Sequence, residues 1–313
     1  MPSSLTNVAV VGATGAVGGV LRSILRERGI EGVRYFASAR SAGSQLDGIL
    51  VEEATPEALA GADVEIAFFA VGATASRVLV PHAVRGGAVA IDKSSAWRME
   101  PDVPLVVPEV NGERAVDHNG VVAVPNCSTI QLVCALKPLH DAAGLRRVRV
   151  ATYQSASGAG AASIERLRAE SVDEHDLRAD WSFDGEEFEE ETKMREELRK
   201  ILELPELPMQ ATCVRVPVVV GHLEAVWIET NGPLSPEDAR EALGAAPGLR
   251  LDELPSPGKA AGIDDVLVGR IRRDPTVENG LALTVAGDNL RKGAALNAVQ
   301  IAELLLARPR VAA

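Results

Sequence analysis

Pro125-Asn126-Cys127-Ser128-Thr129 joins an apolar run, Val121-Val122-Ala123-Val124, to a helical pattern, Ile130 to Lys137, that Pro138 is expected to stop. Cys127 therefore stands where a strand turns into a helix. The first N–H groups of a helix lack partners and carry partial positive charge. That environment lowers a thiol pKa and favours the thiolate, which is the reactive form. The same N–H groups suit an oxyanion formed on a substrate. A cysteine at such a turn can also be a small, inert, packed residue. The polar flank of Asn126, Ser128 and Thr129 favours the nucleophile.

Other segments offer partners for a thiol. Cys213-Val214-Arg215-Val216-Pro217 leads to Gly221-His222. In an unbroken strand a separation of seven puts Arg215 and His222 on opposite faces. Pro217 and Gly221 interrupt the run, so a bulge or turn can bring both to one site. His222 is then an acid–base candidate, although a histidine at a strand end can equally be structural. Gln154 ends the strand-like Thr152-Tyr153-Gln154 and precedes a loop, Ser155-Ala156-Ser157-Gly158-Ala159-Gly160. Its amide can bond an intermediate without adding charge. Arg98, after Ser94-Ser95-Ala96-Trp97, follows a strand end, where ligands gather in open α/β sheets, and can bind an oxyanion. Glu190 and Lys193, three apart, share a helix face; a solvated surface pair is the plainer reading.

These groups need a scaffold, and the first third of the chain supplies its pattern. Short apolar strands at Asn7 to Val11, Gly32 to Ser38, Val64 to Val71 and Ala88 to Ile91 alternate with helices at Val17 to Arg28 and Thr74 to Arg85. Repeated strand–helix–strand units predict a Rossmann-like, doubly wound parallel sheet. Gly12-Ala13-Thr14-Gly15-Ala16-Val17-Gly18 follows the first strand and opens the first helix, the context of a dinucleotide fingerprint. Its spacing is G-x-x-G-x-x-G, and a ligand-free glycine connection is the alternative. The second strand ends in Ser38-Ala39-Arg40-Ser41, with no acidic residue to hold ribose hydroxyls. Hydroxyls and a guanidinium suit a 2′-phosphate, hence NADP; a solvated Arg40 is the other reading.

After Cys127 the texture changes. Longer strands at Arg147 to Gln154, Ala211 to Val220 and Glu224 to Thr230, with acidic helices at Ala161 to His175 and Glu186 to Leu202, predict an α+β domain with a mostly antiparallel sheet. A final amphipathic helix, Gly293 to Ala307, can return to the first domain.

The 313 residues carry a net charge of −12, which argues against a nucleic-acid surface. Aromatics are only 3%, too few for base-stacking platforms. No run approaches the ~18 apolar residues of a membrane span, and Met1 to Thr6 lacks the features of a secretory signal. Cys127, Cys134 and Cys213 form neither a paired framework nor a metal-type spacing. A reducing, cytoplasmic setting without a metal is the expectation.

Taken in chain order, Gly12 to Gly18, Pro125 to Thr129, Thr152 to Gln154 with Ser157 to Gly160, Glu190 with Lys193, Cys213 to Pro217 with His222, and Val268 to Arg272 closely resemble bacterial aspartate-β-semialdehyde dehydrogenases. The resemblance implies an NADP-binding domain, 1–126 with 288–313, and a catalytic and dimerisation domain, 127–287. It implies that Cys127 is the nucleophile, His222 the acid–base residue and Gln154 the residue that orients the acyl intermediate. Arg215 would hold the substrate α-carboxylate, Glu190 its α-ammonium, and Arg98 with Lys193 the phosphate. Gly12, Thr14, Gly15, Ala16, Val17, Ser38, Arg40, Ser41, Ser157, Gly158 and Asn289 fall where the family holds NADP. The implied reaction reduces L-aspartyl-4-phosphate to L-aspartate-4-semialdehyde through a cysteine thioester, in lysine, threonine and methionine biosynthesis, in a homodimer or dimer of dimers. An N-acetylglutamyl-phosphate reductase, a glyceraldehyde-phosphate dehydrogenase and a non-catalytic nucleotide-binding paralogue are the rivals. An acetylated amine would not need Glu190, and glyceraldehyde phosphate has no carboxylate for Arg215. The chain departs from the family in two places: a short stretch between Gly160 and Glu190, where relatives usually carry an insertion, and Leu223 after His222, where a small polar residue is frequent.

Overall fold

The computed structural model describes residues 6–307. The expectations for 1–5 and 308–313 lie outside the described residues. The chain divides into two compact units: one runs up to Pro125 and resumes at Ala294, the other spans Asn126–Gly293.

The first unit holds β1 (Val8–Val11), α1 (Ala16–Glu27), β2 (Arg34–Ala37), β3 (Gln45–Leu46), β4 (Ile49–Glu53), α2 (Pro56–Ala60), β5 (Ile66–Phe69), α3 (Ala73–Arg85), β6 (Val89–Asp92), α4 (Pro108–Asn111) and β7 (Val121–Ala123). Among the described residues its sheet runs β3-β4-β2-β1-β5-β6-β7. All pairs are parallel except the β3–β4 hairpin, which turns on Asp47 and Gly48, both at positive φ. An Asp-Gly pair between strands is a hairpin signal, and it escaped the sequence reading. Both faces of the sheet are covered, so its strands read as continuous apolar runs rather than alternating ones. Ala9, Val11, Ala67 and Phe69 pack with Leu79, Val80 and Ala83 of α3.

The second unit holds α5 (Cys127–Ala143), β8 (Leu145–Gln154), α6 (Ala161–Ala169), α7 (Glu189–Leu202), β9 (Met209–Arg215), β10 (His222–Thr230), α8 (Pro236–Ala245), β11 (Leu249–Leu251), α9 (Pro257–Ala260), β12 (Val266–Asp274) and β13 (Gly280–Gly287). Its sheet runs β11-β12-β13-β10-β8-β9. The three central pairs are antiparallel, and the outer pairs β11–β12 and β8–β9 are parallel, so the sheet is mixed. A π-helical turn, Arg291–Ala295, then leads the chain into α10 (Leu296–Ala307), which packs on α1 in the first unit.

Several element boundaries differ from expectation. Pro138 does not stop the helix: α5 continues to Ala143 and closes at Gly144. Proline removes one backbone donor from a helix interior. Here burial of Ile130, Leu132, Val133, Leu136 and Leu139 holds the helix across that gap. The strand expected over Ala211 to Val220 ends at Arg215, and the helix expected over Ala161 to His175 ends at Ala169. Val218 and Val219 instead offer carbonyls to Ala156 N–H and Ser157 N–H.

Candidate active site

Strand alternation builds one row of side chains at an end of the second sheet. In β9, Met209, Ala211, Cys213 and Arg215 point to the buried face; in β8, Val148, Val150, Thr152 and Gln154 do so; in β10, His222, Glu224, Val226 and Ile228 do so. Gln154 is the register partner of Arg215, and Leu223 that of Tyr153. Arg215, Gln154 and His222 are therefore neighbours on three adjacent strands. Gly221, at φ +94, makes the turn that delivers His222 to this face. A Cβ there would meet the Pro257 carbonyl oxygen at 2.6 Å.

Helix α5 opens against this row. Asn126 is its N-cap, with Oδ1 accepting from Ser128 N–H at 2.8 Å. The cap is itself clamped. Its backbone N–H donates to Glu197 Oε2 at 2.6 Å, and its amide Nδ2 donates to Glu190 Oε1 at 2.8 Å. Gln154 Nε2 donates to the same Glu190 oxygen at 2.9 Å and to Ser128 Oγ. Cys127, the first residue of α5, is partly exposed, whereas Cys134 and Cys213 are buried. Burial pushes the Cys213 thiol far up, so it does not compete as a nucleophile.

Cys127 Sγ lies 3.2 Å from His222 Nε2. The other ring nitrogen is held by Ser155, whose backbone N–H donates to Nδ1 at 3.0 Å and whose Oγ lies 3.1 Å away. The N–H suits the neutral ring and leaves its proton on Nε2, facing the sulfur. The hydroxyl oxygen can accept from Nδ1 when the ring is charged. Burial, reinforced by the Arg215 charge, pushes His222 down to about 3, the Gly221 carbonyl opposing. The neutral ring is the resting form at pH 7.

Ser155 is fixed in turn by Asn289. Asn289 Oδ1 accepts from Ser155 Oγ at 3.0 Å, from Ser157 Oγ at 3.2 Å and from Gly221 N–H at 2.9 Å. Its Nδ2 donates to Ser157 Oγ at 2.9 Å. Ser157, Gly158 and Asn289 thus stand against His222, and a Cβ on Gly158 would lie 3.0 Å from Arg215 Nη1 and 3.2 Å from His222 Cε1.

Arg215 has an ion-pair partner that the sequence reading did not name. Asp180 lies 2.9 Å from Nη2. Nη1 donates to the Ser155 carbonyl at 3.1 Å. Glu224 lies one row below, wholly buried with Gln131 as its polar neighbour, and burial raises its carboxyl well above the usual range. Lys193 turns away from Glu190 and pairs with Glu189 at 2.5 Å. Arg98 belongs to the first unit, is 8% exposed, and donates to the Lys93 carbonyl at 2.6 Å.

The glycine loop of the first unit has the shape of a nucleotide cradle. Gly12 has φ +89, and a Cβ there would meet the Ala70 carbonyl oxygen at 2.5 Å. A Cβ on Gly18 would run into the Gly12 carbonyl at 2.2 Å, so α1 packs too close for any side chain. Thr14, Gly15, Ala16 and Val17 lead into α1, and Gly15 caps the helix without a side-chain bond. Ser38 and Arg40 are exposed in the turn after β2, and Ser41 is half-buried. This arrangement fits a dinucleotide, with phosphates on the α1 amides. Among the described residues no group of three or more His, Cys, Asp or Glu side chains is placed to hold a metal.

Comparison with known proteins gives the family. The family pattern "Semialdehyde dehydrogenase, NAD binding domain" matches residues 7–118, and "Semialdehyde dehydrogenase, dimerisation domain" matches 136–183 and 182–292. An aspartate-semialdehyde dehydrogenase of Corynebacterium melassecola is 44% identical, across 96% of this chain and 100% of its own length. The chain belongs to the aspartate-semialdehyde dehydrogenase family. The crystal structure of the Vibrio cholerae aspartate semialdehyde dehydrogenase II complexed with ASA superposes with a TM-score of 0.91 at 39% identity, covering 97% of this chain and 99% of that one. A more distant member, the Candida albicans aspartate semialdehyde dehydrogenase with NADP, gives 0.78 at 27% identity over 97% and 98%. The sequence resemblance thus holds as family membership, and the α/β architecture with its nucleotide-binding domain holds with it.

Four residues of this candidate site escaped the sequence reading: Ser155, Asp180, Glu197 and Gln131. Only Glu197 left a signal. Glu190, Met194, Glu197 and Ile201 recur at helical spacing, which puts two carboxylates on the core-facing side of α7.

Proposed function

We propose that this chain interconverts L-aspartyl-4-phosphate and L-aspartate-4-semialdehyde with NADP(H) and phosphate, through a thioester on Cys127. The 3.2 Å approach of His222 Nε2 to Cys127 Sγ, at the first turn of α5, carries the reading. A nucleophile and its acid–base partner within hydrogen-bond reach, the partner oriented by a third group, is the arrangement covalent catalysis needs. Ser155 is that third group.

Each side chain then has a task. Cys127 attacks the acyl carbon and expels phosphate, and the N-terminal end of α5, with its partial positive charge, faces the oxyanion. Gln154 and Asn126 hold Glu190, which takes the substrate ammonium. Arg215 takes the α-carboxylate. Arg98 and Lys193 are assigned to the phosphate by resemblance. His222 holds charge on the sulfur through Nε2–H and, passing between the imidazolium and the neutral ring with its proton on Nδ1 toward Ser155 Oγ, exchanges a proton at Nε2 with the carbonyl-derived oxygen. NADP(H), when bound, supplies or accepts the hydride. Gly12, Thr14, Gly15, Ala16 and Val17 would hold its pyrophosphate, Ser38, Arg40 and Ser41 its 2′-phosphate, and Ser157, Gly158 and Asn289 its nicotinamide end beside His222. The absence of an acidic residue after β2 favours NADP over NAD.

The reaction belongs to the aspartate branch leading to lysine, threonine and methionine, in the cytoplasm. The outer face of the second sheet exposes Tyr153 and Trp227 beside half-buried Leu223, an apolar strip that suits a homodimer. No helix among the described residues is long and apolar enough to cross a membrane. The test is NADP reduction with L-aspartate-4-semialdehyde, with and without phosphate. Phosphate-independent turnover, or none with either nucleotide, counts against the reaction.

A further inference from the structure

Residues 171 to 189 form a strap over Arg215. None of them is buried, and Val172, Leu177 and Phe183 are exposed. One bridge ties the strap to the sheet: Arg178 N–H donates to the Arg215 carbonyl at 2.9 Å, and Arg215 N–H to the Arg178 carbonyl at 2.7 Å. Two residues further on, Asp180 reaches the guanidinium. Nε and Nη2 of Arg215 both donate to Asp180 Oδ1, at 3.2 and 2.9 Å. Trp181 adds its ring, 4.4 Å from the Arg215 guanidinium carbon. Under this cover Arg215 is only 5% exposed. The dimerisation-domain pattern breaks at residues 182 and 183, within the strap.

We propose that Asp180 is a specificity-determining latch: its carboxylate occupies the forked edge of Arg215 and gives it up only to a ligand that brings a carboxylate of its own. The proposal rests on Arg215 being the substrate-carboxylate site. Two carboxylates cannot share one guanidinium edge, so an incoming one must displace Asp180. A buried arginine without a counter-ion is costly, so a ligand lacking a carboxylate cannot open the strap cheaply. An amino aldehyde without the α-carboxylate therefore meets a closed site. The strap itself is held by few buried contacts, which makes its displacement inexpensive. A latch closed nine-tenths of the time raises an apparent dissociation constant about tenfold.

Asp180→Asn keeps the shape and removes the charge. The KM for L-aspartate-4-semialdehyde is expected to fall about three- to tenfold, kcat not falling. Trp181 supplies a second readout once Trp97 and Trp227 are replaced by Phe. L-2-Aminobutyrate, which has the α-carboxylate and ammonium but no reactive carbonyl, should shift the Trp181 emission, and n-propylamine should not. Arg215→Lys, assayed in parallel, separates the two levels. An unchanged KM in Arg215→Lys removes the carboxylate site itself. A raised KM in Arg215→Lys, with an unchanged or raised KM in Asp180→Asn, overturns the latch and makes Asp180 a fixed clamp. A Trp181 emission that responds equally to both amines, or to neither, also overturns it.

Discussion

Asn289 offers the sharpest separation between holding a cofactor and holding the His222 imidazole. Its side-chain oxygen accepts from Ser155 Oγ, Ser157 Oγ and Gly221 N–H, and its nitrogen donates to Ser157 Oγ. Asn289→Ala strips three buried donors of their acceptor. At about 1 kcal/mol for each bond the loss is about 3 kcal/mol, or about 6–12 °C in melting temperature for a unit of this size. Ser155 and Gly221 are the two residues that aim His222, so the ring should also lose its alignment on Cys127. Misplacement of that kind costs up to about a hundredfold in kcat. Asn289→Asp retains the acceptor and should recover most of the stability. The assay is steady-state NADP reduction with aspartate semialdehyde and phosphate, with NADP binding measured by titration and a thermal melt on the same protein. If Asn289→Ala weakens NADP binding while kcat is untouched, the amide serves the nucleotide and the positioning argument is wrong.

Cys127→Ser should reduce turnover to below a few per cent while NADP still binds, because a hydroxyl is a poor acyl acceptor at neutral pH; sustained turnover in a thiol-free background would contradict the thioester. Arg40→Ala should narrow the preference for NADP over NAD by roughly ten- to hundredfold, the equivalent of about 1.5–3 kcal/mol for a charged hydrogen bond, and equal KM values for both nucleotides in the wild type would contradict a 2′-phosphate site. Glu224 keeps its proton in the fold where the unfolded chain has lost it, since burial raises its carboxyl well above 4.5. Its contribution is therefore complete below about pH 4.5 and fades as pH rises. Glu224→Gln should gain urea midpoint relative to the wild type progressively as pH rises above about 4.5, His222 being common to both proteins, and a pH-independent difference would refute a buried neutral acid.

The position of Cys127 was legible because its signal is local: an apolar strand, a polar turn and a helix within a few residues. The glycine loop was legible for the same reason, and the structure gives Gly12 and Gly18 steric grounds that no other residue satisfies. Arg215 and His222 were legible as a pair only through the Pro217 and Gly221 interruptions. What holds them was not. Ser155 acts through its backbone N–H, which has no letter in a sequence, and Asn289 reaches it across more than a hundred residues. Asp180 lies in an acidic, solvated-looking stretch, and only the bridge between Arg178 and Arg215 sets its register. Pro138 misled because local chemistry ends helices only where packing does not override it.

The cap of α5 has an evolutionary consequence. Asn126 is gripped by Glu190 and Glu197, residues 64 and 71 positions away in the chain. Exchange of the asparagine side chain would cost Glu190 one of its two amide donors and α5 its cap, whereas Glu197 holds a backbone N–H that any residue but proline supplies. Asn126 and Glu190 are therefore coupled through their side chains. Related chains should keep that pair or replace both together, and drift on the outer face of α7 should leave it untouched.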